Sequence, residues 1–130
     1  MPLTNFLKRV LILDSASCLF MGAILLAGGG DLSDLLGLSG SLVSGAGSLL
    51  IPLGLFILWL GTRSAAHPAL VWLVIVGNVG WAAESLIVAF TTAGITGLGT
   101  LFVAGQGAAV AALAALEYTG LQRSRAAAAT

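Results

Sequence analysis

Apolar residues run almost unbroken in four stretches, at about residues 9–27, 40–60, 68–90 and 98–118. Each approaches the length of roughly 20 residues that a helix needs to cross a hydrocarbon core of about 30 Å. The runs are continuous rather than alternating. This favours helices over the strands of a membrane barrel, which are about 10 residues long with every second position polar. Short segments separate the runs: the glycine-rich 28–31, then 61–63 with His67 and Pro68, then 91–97. Links this short make consecutive helices antiparallel, so the expected fold is an all-α membrane protein, an up-down-up-down bundle of four transmembrane helices. Residues 1–130 then form a single integral membrane domain, and 32–38 are expected to add one interfacial helical turn before the second span.

Composition agrees with the pattern. Hydrophobic residues make up 58% of the chain and charged residues 8%, with a mean hydropathy of +1.09. A soluble domain carries roughly 25% charged residues, so a water-soluble fold is excluded and the lipid bilayer is the expected solvent. Five basic and five acidic residues cancel, which leaves no electrostatic footprint for nucleic acid. The cations are not scattered. Lys8 and Arg9 precede the first run, Arg63 lies between the second and third, and Arg123 and Arg125 follow the fourth, whereas the other links carry only Asp31 and Asp34. Since Lys and Arg beside spans stay on the cytoplasmic side, both termini are expected in the cytoplasm. Trp59, Trp72 and Tyr118 fall near that inner interface, where amphipathic rings settle; Trp81 does not. A cleaved secretory signal is not expected, because Asp14 interrupts an apolar run that is also too long. Cys18 is the only cysteine, so no intrachain disulfide can form.

Polar residues inside the runs are the candidate functional groups. At a rise of about 1.5 Å per residue, Cys18, Ser48, Asn78 and Gln106 all lie roughly 14–18 Å above the cytoplasmic ends of their spans. A buried amide in lipid must find its partner within the protein. Asn78 and Gln106 are therefore expected to face inward and form the centre of an interhelical hydrogen-bond layer, as packing glue or as part of a ligand site. Pro52 removes the helical partner of the Ser48 carbonyl, which either amide could satisfy. On the third span, Gly77, Asn78, Trp81, Glu84 and Ser85 fall within an arc of about 120° at 100° per residue. A carboxyl group inside an apolar run is a functional-site hypothesis by default. No cation lies at the level of Glu84, so it is expected to act as a hydrogen-bond donor or proton carrier. The candidate ligand or proton site is thus Asn78, Trp81, Glu84, Gln106 and Ser48.

Asp14 and Glu117 are nearer the basic end, with Arg9, Arg63, Arg123 and Arg125 within snorkelling reach. Inner-rim ion pairs, Asp14 with Arg63 and Glu117 with Arg9, are expected; a proton path from the cytoplasm through Asp14 is the alternative. Small residues recur every four positions at Gly37, Ser41 and Gly45, at Gly40, Ser44 and Ser48, at Ala104, Ala108 and Ala112, and at Gly107, Ala111 and Ala115. Such ridges allow helices to approach closely in lipid, within one chain, in a homo-oligomer or in a larger membrane complex.

The chain carries no catalytic signature. His67 is the sole histidine, which excludes a bis-histidine haem and a histidine-rich metal site. No phosphate-binding loop is present, and no serine has a histidine and carboxylate at hand to activate it. No cofactor, no metal and no enzymatic activity are expected.

Asp14 in the first run, residues 36–38, Pro52, Asn78 with Trp81, Gly105 with Gln106, and Glu117 together resemble a family of small bacterial four-helix inner-membrane proteins of unknown function. That resemblance covers almost the whole chain and implies a topology, and a bacterial inner-membrane location, without an activity. In size and in its first-span carboxylate, Asp14, the chain is also similar to the small multidrug resistance transporters, although their aromatic surroundings are absent. The function expected first is a structural, accessory or partner-binding membrane protein. The alternatives are a small-molecule or lipid-binding bundle, or a proton-coupled small transporter using Glu84 or Asp14.

Overall fold

A computed structural model of the chain describes residues 1–129 as four helices: α1 Asn5–Leu36, α2 Gly40–Gly61, α3 Pro68–Thr91 and α4 Gly97–Ala129. All four are long and apolar enough to cross a membrane. The helix boundaries follow local chemistry. Thr4, Ser39 and His67 each turn a side-chain acceptor onto an orphan backbone N–H of the first turn of α1, α2 and α3. Pro68 opens α3 where its missing N–H costs nothing. Thr96 does the same for α4, its Oγ1 accepting from Gly99 N at 2.9 Å.

Two helices extend past the apolar runs. Gly29 breaks the helical path of α1 at φ 53° and ψ −141°, a conformation that favours glycine, and the helix then resumes to Leu36. The glycine-rich segment therefore bends the first helix rather than ending it. Gly37, at φ 69°, caps it in the left-handed region. At the other extreme α4 continues through the terminal cations to Ala129, because Gln122, Arg123 and the alanines are good helix formers.

Packing is uneven. α1 lies against both α2 and α4 and α3 lies against α4, while α2 and α3 stand farther apart with a groove between them. Glycines mediate the close contacts. A Cβ added at Gly47, Gly54 or Gly61, spaced by seven residues along α2, would press on side chains of α1, whereas Gly40 and Gly45 face open space. On α2, then, the ridge that packs is this seven-residue series. The two four-residue series are exposed along α2, one at Ser41 and Gly45 and the other at Gly40, Ser44 and Ser48.

The ends of the bundle are tied separately. At one end Leu3 N donates to Ser64 O and Ala66 N to Met1 O, both at 3.0 Å, and Thr4 N donates to Ser124 Oγ at 3.1 Å. At the other, Thr96 N donates to Leu36 O at 3.1 Å and Thr96 Oγ1 to Leu35 O at 2.9 Å. Gly99 sits against the Leu36 carbonyl so closely that no side chain would fit there. The apolar core is likewise divided. A larger cluster of Leu7, Leu11, Ile57, Leu60, Val71, Val74, Ile75 and Leu121 lies toward the first end, and a smaller one of Leu25, Val43 and Leu50 toward the second. Leu13, Phe20, Leu73, Val76, Ile87, Phe90 and Leu101 point outward, which carries no penalty where the surroundings are acyl chains.

Candidate functional site

Between the two core clusters three helices each turn one polar side chain inward: Asp14 from α1, Asn78 from α3 and Glu117 from α4. Each lies on the buried stripe of its helix. Asp14 follows Leu7 and Leu11 and precedes Gly22 and Leu25; Asn78 lies between Ile75 and Ala82; Glu117 lies between Ala114 and Leu121. Spacings of three, four or eight residues keep to one helix face. Asp14 is 1% exposed, Glu117 0% and Asn78 8%.

The amide of Asn78 joins the two acids. Its Nδ2 donates to Asp14 Oδ2 at 2.7 Å and to Glu117 Oε1 at 2.6 Å, so both hydrogens of one nitrogen are spent on carboxyl oxygens. On the far side of Asp14, Cys18 Sγ donates to Oδ1 at 3.6 Å. Glu117 Oε2 has no partner at all, although it is buried. The expected ion pairs are not formed. Arg63 lies over the Trp59 ring, 5.5 Å from its centre, and Arg123 over Phe6 at 4.5 Å. Asp14 and Glu117 therefore meet Asn78 instead of Arg63 and Arg9, because both acids lie on core stripes while the arginines lie among exposed positions at the bundle end.

One turn further along α3 is a second, neutral network. Trp81 Nε1 donates to Gln106 Oε1 at 3.0 Å, and Gln106 Nε2 donates to Ser85 Oγ at 2.7 Å and to Val103 O at 2.9 Å. Gly107 makes room for it: a Cβ there would lie 2.9 Å from that of Ser85. Asn78 and Gln106 thus belong to two networks, not to one layer. Neither reaches Ser48, which is exposed on α2. Glu84 is also exposed, on the outward face of α3 beside the groove. The arc that groups Glu84 with Asn78 and Trp81 is real on a helical wheel, but the packed interface with α4 takes only its Asn78, Trp81 and Ser85 side.

Both networks border the groove between α2 and α3. A cavity of about 420 Å³ is walled by Leu50, Leu53, Phe56, Ile57, Val74, Ala109 and Leu113, with Asp14, Cys18, Asn78, Trp81 and Gln106 as its polar surface. A second cavity of about 260 Å³ continues past Met21, Trp81 and Gln106 toward Val43, Glu84 and Phe102. Apolar walls with a few convergent polar groups are the usual make-up of a small-molecule site, and the larger volume lies within the customary range of about 300–1,000 Å³. Comparison with known protein families, curated proteins and solved structures gives no match.

Proposed function

We propose that this protein is a multi-pass, non-catalytic protein of the bacterial inner membrane that binds a small, largely apolar molecule within its helical bundle. The cation bias supports an up-down-up-down arrangement with both termini in the cytoplasm, and the family resemblance supports the bacterial location. The observation that carries the binding reading is the cavity of about 420 Å³ beside Asp14, Asn78, Trp81 and Gln106. Apolar walls with a few polar side chains converging on them offer a small molecule both contact area and orientation. In this reading Asn78 and Gln106 are both held by partners, so the polar surface is preformed.

A test uses the full chain in lipid nanodiscs with Trp59 and Trp72 replaced by Phe, leaving Trp81 to report. Titration with adamantylmethanol is expected to shift Trp81 emission saturably, and Ala109→Phe, which fills the cavity from α4, is expected to abolish the shift. A linear response, equal in both proteins, means partition into the bilayer alone and overturns the reading. A partner-binding role is supported separately by the exposed carboxyl of Glu84 and the open faces of Gly77 and Gly80 on α3. Native mass spectrometry showing one copy and no other subunit after mild extraction would rule that out.

A further inference from the structure

We propose that the groove between α2 and α3 holds the single hydrocarbon chain of a neutral polyol lipid, of the monoacylglycerol class, whose hydroxyl head rests on Ser41 and Glu84. The inference rests on the binding role above and adds the class of ligand.

The shape of the space selects a chain. The two cavities share Met21, Trp81 and Gln106 on their walls, so they follow one another along the groove. On α2 their lining runs from Ser41 to Ile57, about 24 Å at a rise of about 1.5 Å per residue. One leaflet of hydrocarbon is about 15 Å deep, half of a core of roughly 30 Å. A long chain therefore fits the groove lengthwise, whereas a compact molecule fills only part of it. Gly45 keeps the part nearer Glu84 open: it lines the cavity, yet a Cβ added there meets no atom within 4 Å.

Hydrogen-bond capacity selects the head. In the deeper cavity the amide, indole, hydroxyl and thiol donors are all spent within the protein: Asn78 on the two acids, Cys18 on Asp14, Ser17 on Leu13 O, Trp81 on Gln106, and Gln106 on Ser85 and Val103 O. These groups offer a passing chain a wall and a polar head little. Glu117 is enclosed and borders neither cavity. The unspent groups lie at the other end, where the exposed carboxyl of Glu84 and the exposed hydroxyl of Ser41 border one cavity. Neither has a hydrogen-bond partner among the described residues. The other charged residues at that end are Asp31 and Asp34, whereas Lys8, Arg9, Arg63, Arg123 and Arg125 lie at the opposite end, where Leu3 N meets Ser64 O and Thr4 N meets Ser124 Oγ. An anionic head would meet acids and no cation. An ammonium only donates and would leave the Ser41 hydroxyl without an acceptor. A polyol does both, donating to the Glu84 carboxylate and accepting from Ser41.

The test uses the full chain in zwitterionic nanodiscs with Trp59 and Trp72 replaced by Phe, so that Trp81, which borders both cavities, reports. The probe is a monoacylglycerol whose eighteen-carbon chain is brominated at its midpoint, a contact quencher of indole. The free fatty acid of the same chain, at pH 9, is its anionic counterpart. The glyceride is expected to quench Trp81 saturably and to bind about tenfold more tightly than the fatty acid, which faces like charge. Glu84→Gln, which exchanges the repelling carboxylate for an amide donor, is expected to close that gap. Ser41→Ala is expected to weaken the glyceride about threefold, the loss of one hydrogen bond. Gly45→Phe, whose Cβ displaces nothing, is expected to leave only a linear response while adamantylmethanol still shifts Trp81 from the deeper cavity. Equal saturable quenching by the two probes overturns the polyol head and leaves the cavity reading intact, as does a glyceride affinity unchanged in Ser41→Ala. A linear response, equal with Gly45 and with Gly45→Phe, means contact from the bulk bilayer and overturns the chain in the groove. The same response from a chain that native mass spectrometry shows to be dimeric gives the groove to a second copy instead. If adamantylmethanol also fails to shift Trp81, the binding role falls with it.

Discussion

The two polar networks of this bundle are one helical turn apart on α3, yet they solve different problems. Around Gln106 the inventory closes: the amide oxygen accepts from Trp81, and the two amide hydrogens go to Ser85 and to a backbone carbonyl. Every member is neutral, and the network can be left in an apolar interior at little cost. Around Asn78 the inventory does not close. Two acids share one donor nitrogen, a carboxyl oxygen is left over, and no cation is present. A complete neutral network is what helix association in lipid needs. An incomplete one with excess negative charge is an expensive way to hold helices together, and a cavity lies beside it. The contrast is one of hydrogen-bond completeness: the Gln106 network is satisfied within itself, and the Asn78 network leaves a buried carboxyl oxygen over.

Truncating the two amides separates the roles most sharply. Asn78→Ala removes both hydrogen-bond donors from two buried acids, a loss of the order of breaking a buried charged pair, about 3–5 kcal/mol. Gln106→Ala removes neutral contacts and is expected to cost about 1–2 kcal/mol. Unfolding of the two variants in mixed micelles with increasing denaturing detergent measures both. If Gln106→Ala proved the more damaging, the acids would be stabilised by something other than Asn78 and the contrast would fall.

Much of the fold was legible because lipid imposes a strong rule: every helix must satisfy its own backbone, so four apolar runs become four helices. The helix ends were less so. Residues 28–31 read as a stop, yet a single left-handed glycine at position 29 absorbs the bend and the helix continues. In the site, Asn78 is legible as an inward amide, whereas depth along the spans places Asp14 and Glu117 at the basic rim, within snorkelling reach of arginines. The stripe of Leu7, Leu11, Asp14, Gly22 and Leu25 already fixed the face of Asp14, and Ala114, Glu117 and Leu121 that of Glu117. Position on the face decides what an acid meets, and a depth scale alone cannot supply it. Glu84 erred in the opposite sense. It shares an angular sector with Asn78, but α2 and α3 do not close on one another, so that side of α3 stays open.

The smallest expected effect is also a direct check on the rim. Arg63 was the natural partner for Asp14, and a buried ion pair of that kind would make Arg63→Ala cost about 3–5 kcal/mol by stranding the acid. In the structure Arg63 instead covers the exposed ring of Trp59, 5.5 Å from its centre, and its guanidinium reaches Thr62 Oγ1 at 3.5 Å. A solvent-exposed cation on a ring contributes about 0.5–1 kcal/mol, so Arg63→Ala is expected to lose no more than that. The stronger form of the prediction concerns coupling. Arg63 and Asp14 have no common partner, and substitutions at independent sites add to within about 0.5 kcal/mol. The double variant Arg63→Ala with Asp14→Asn should therefore lose the sum of the two single losses. A coupling well above 0.5 kcal/mol in that cycle would return Asp14 to the rim and give the acids their missing cation.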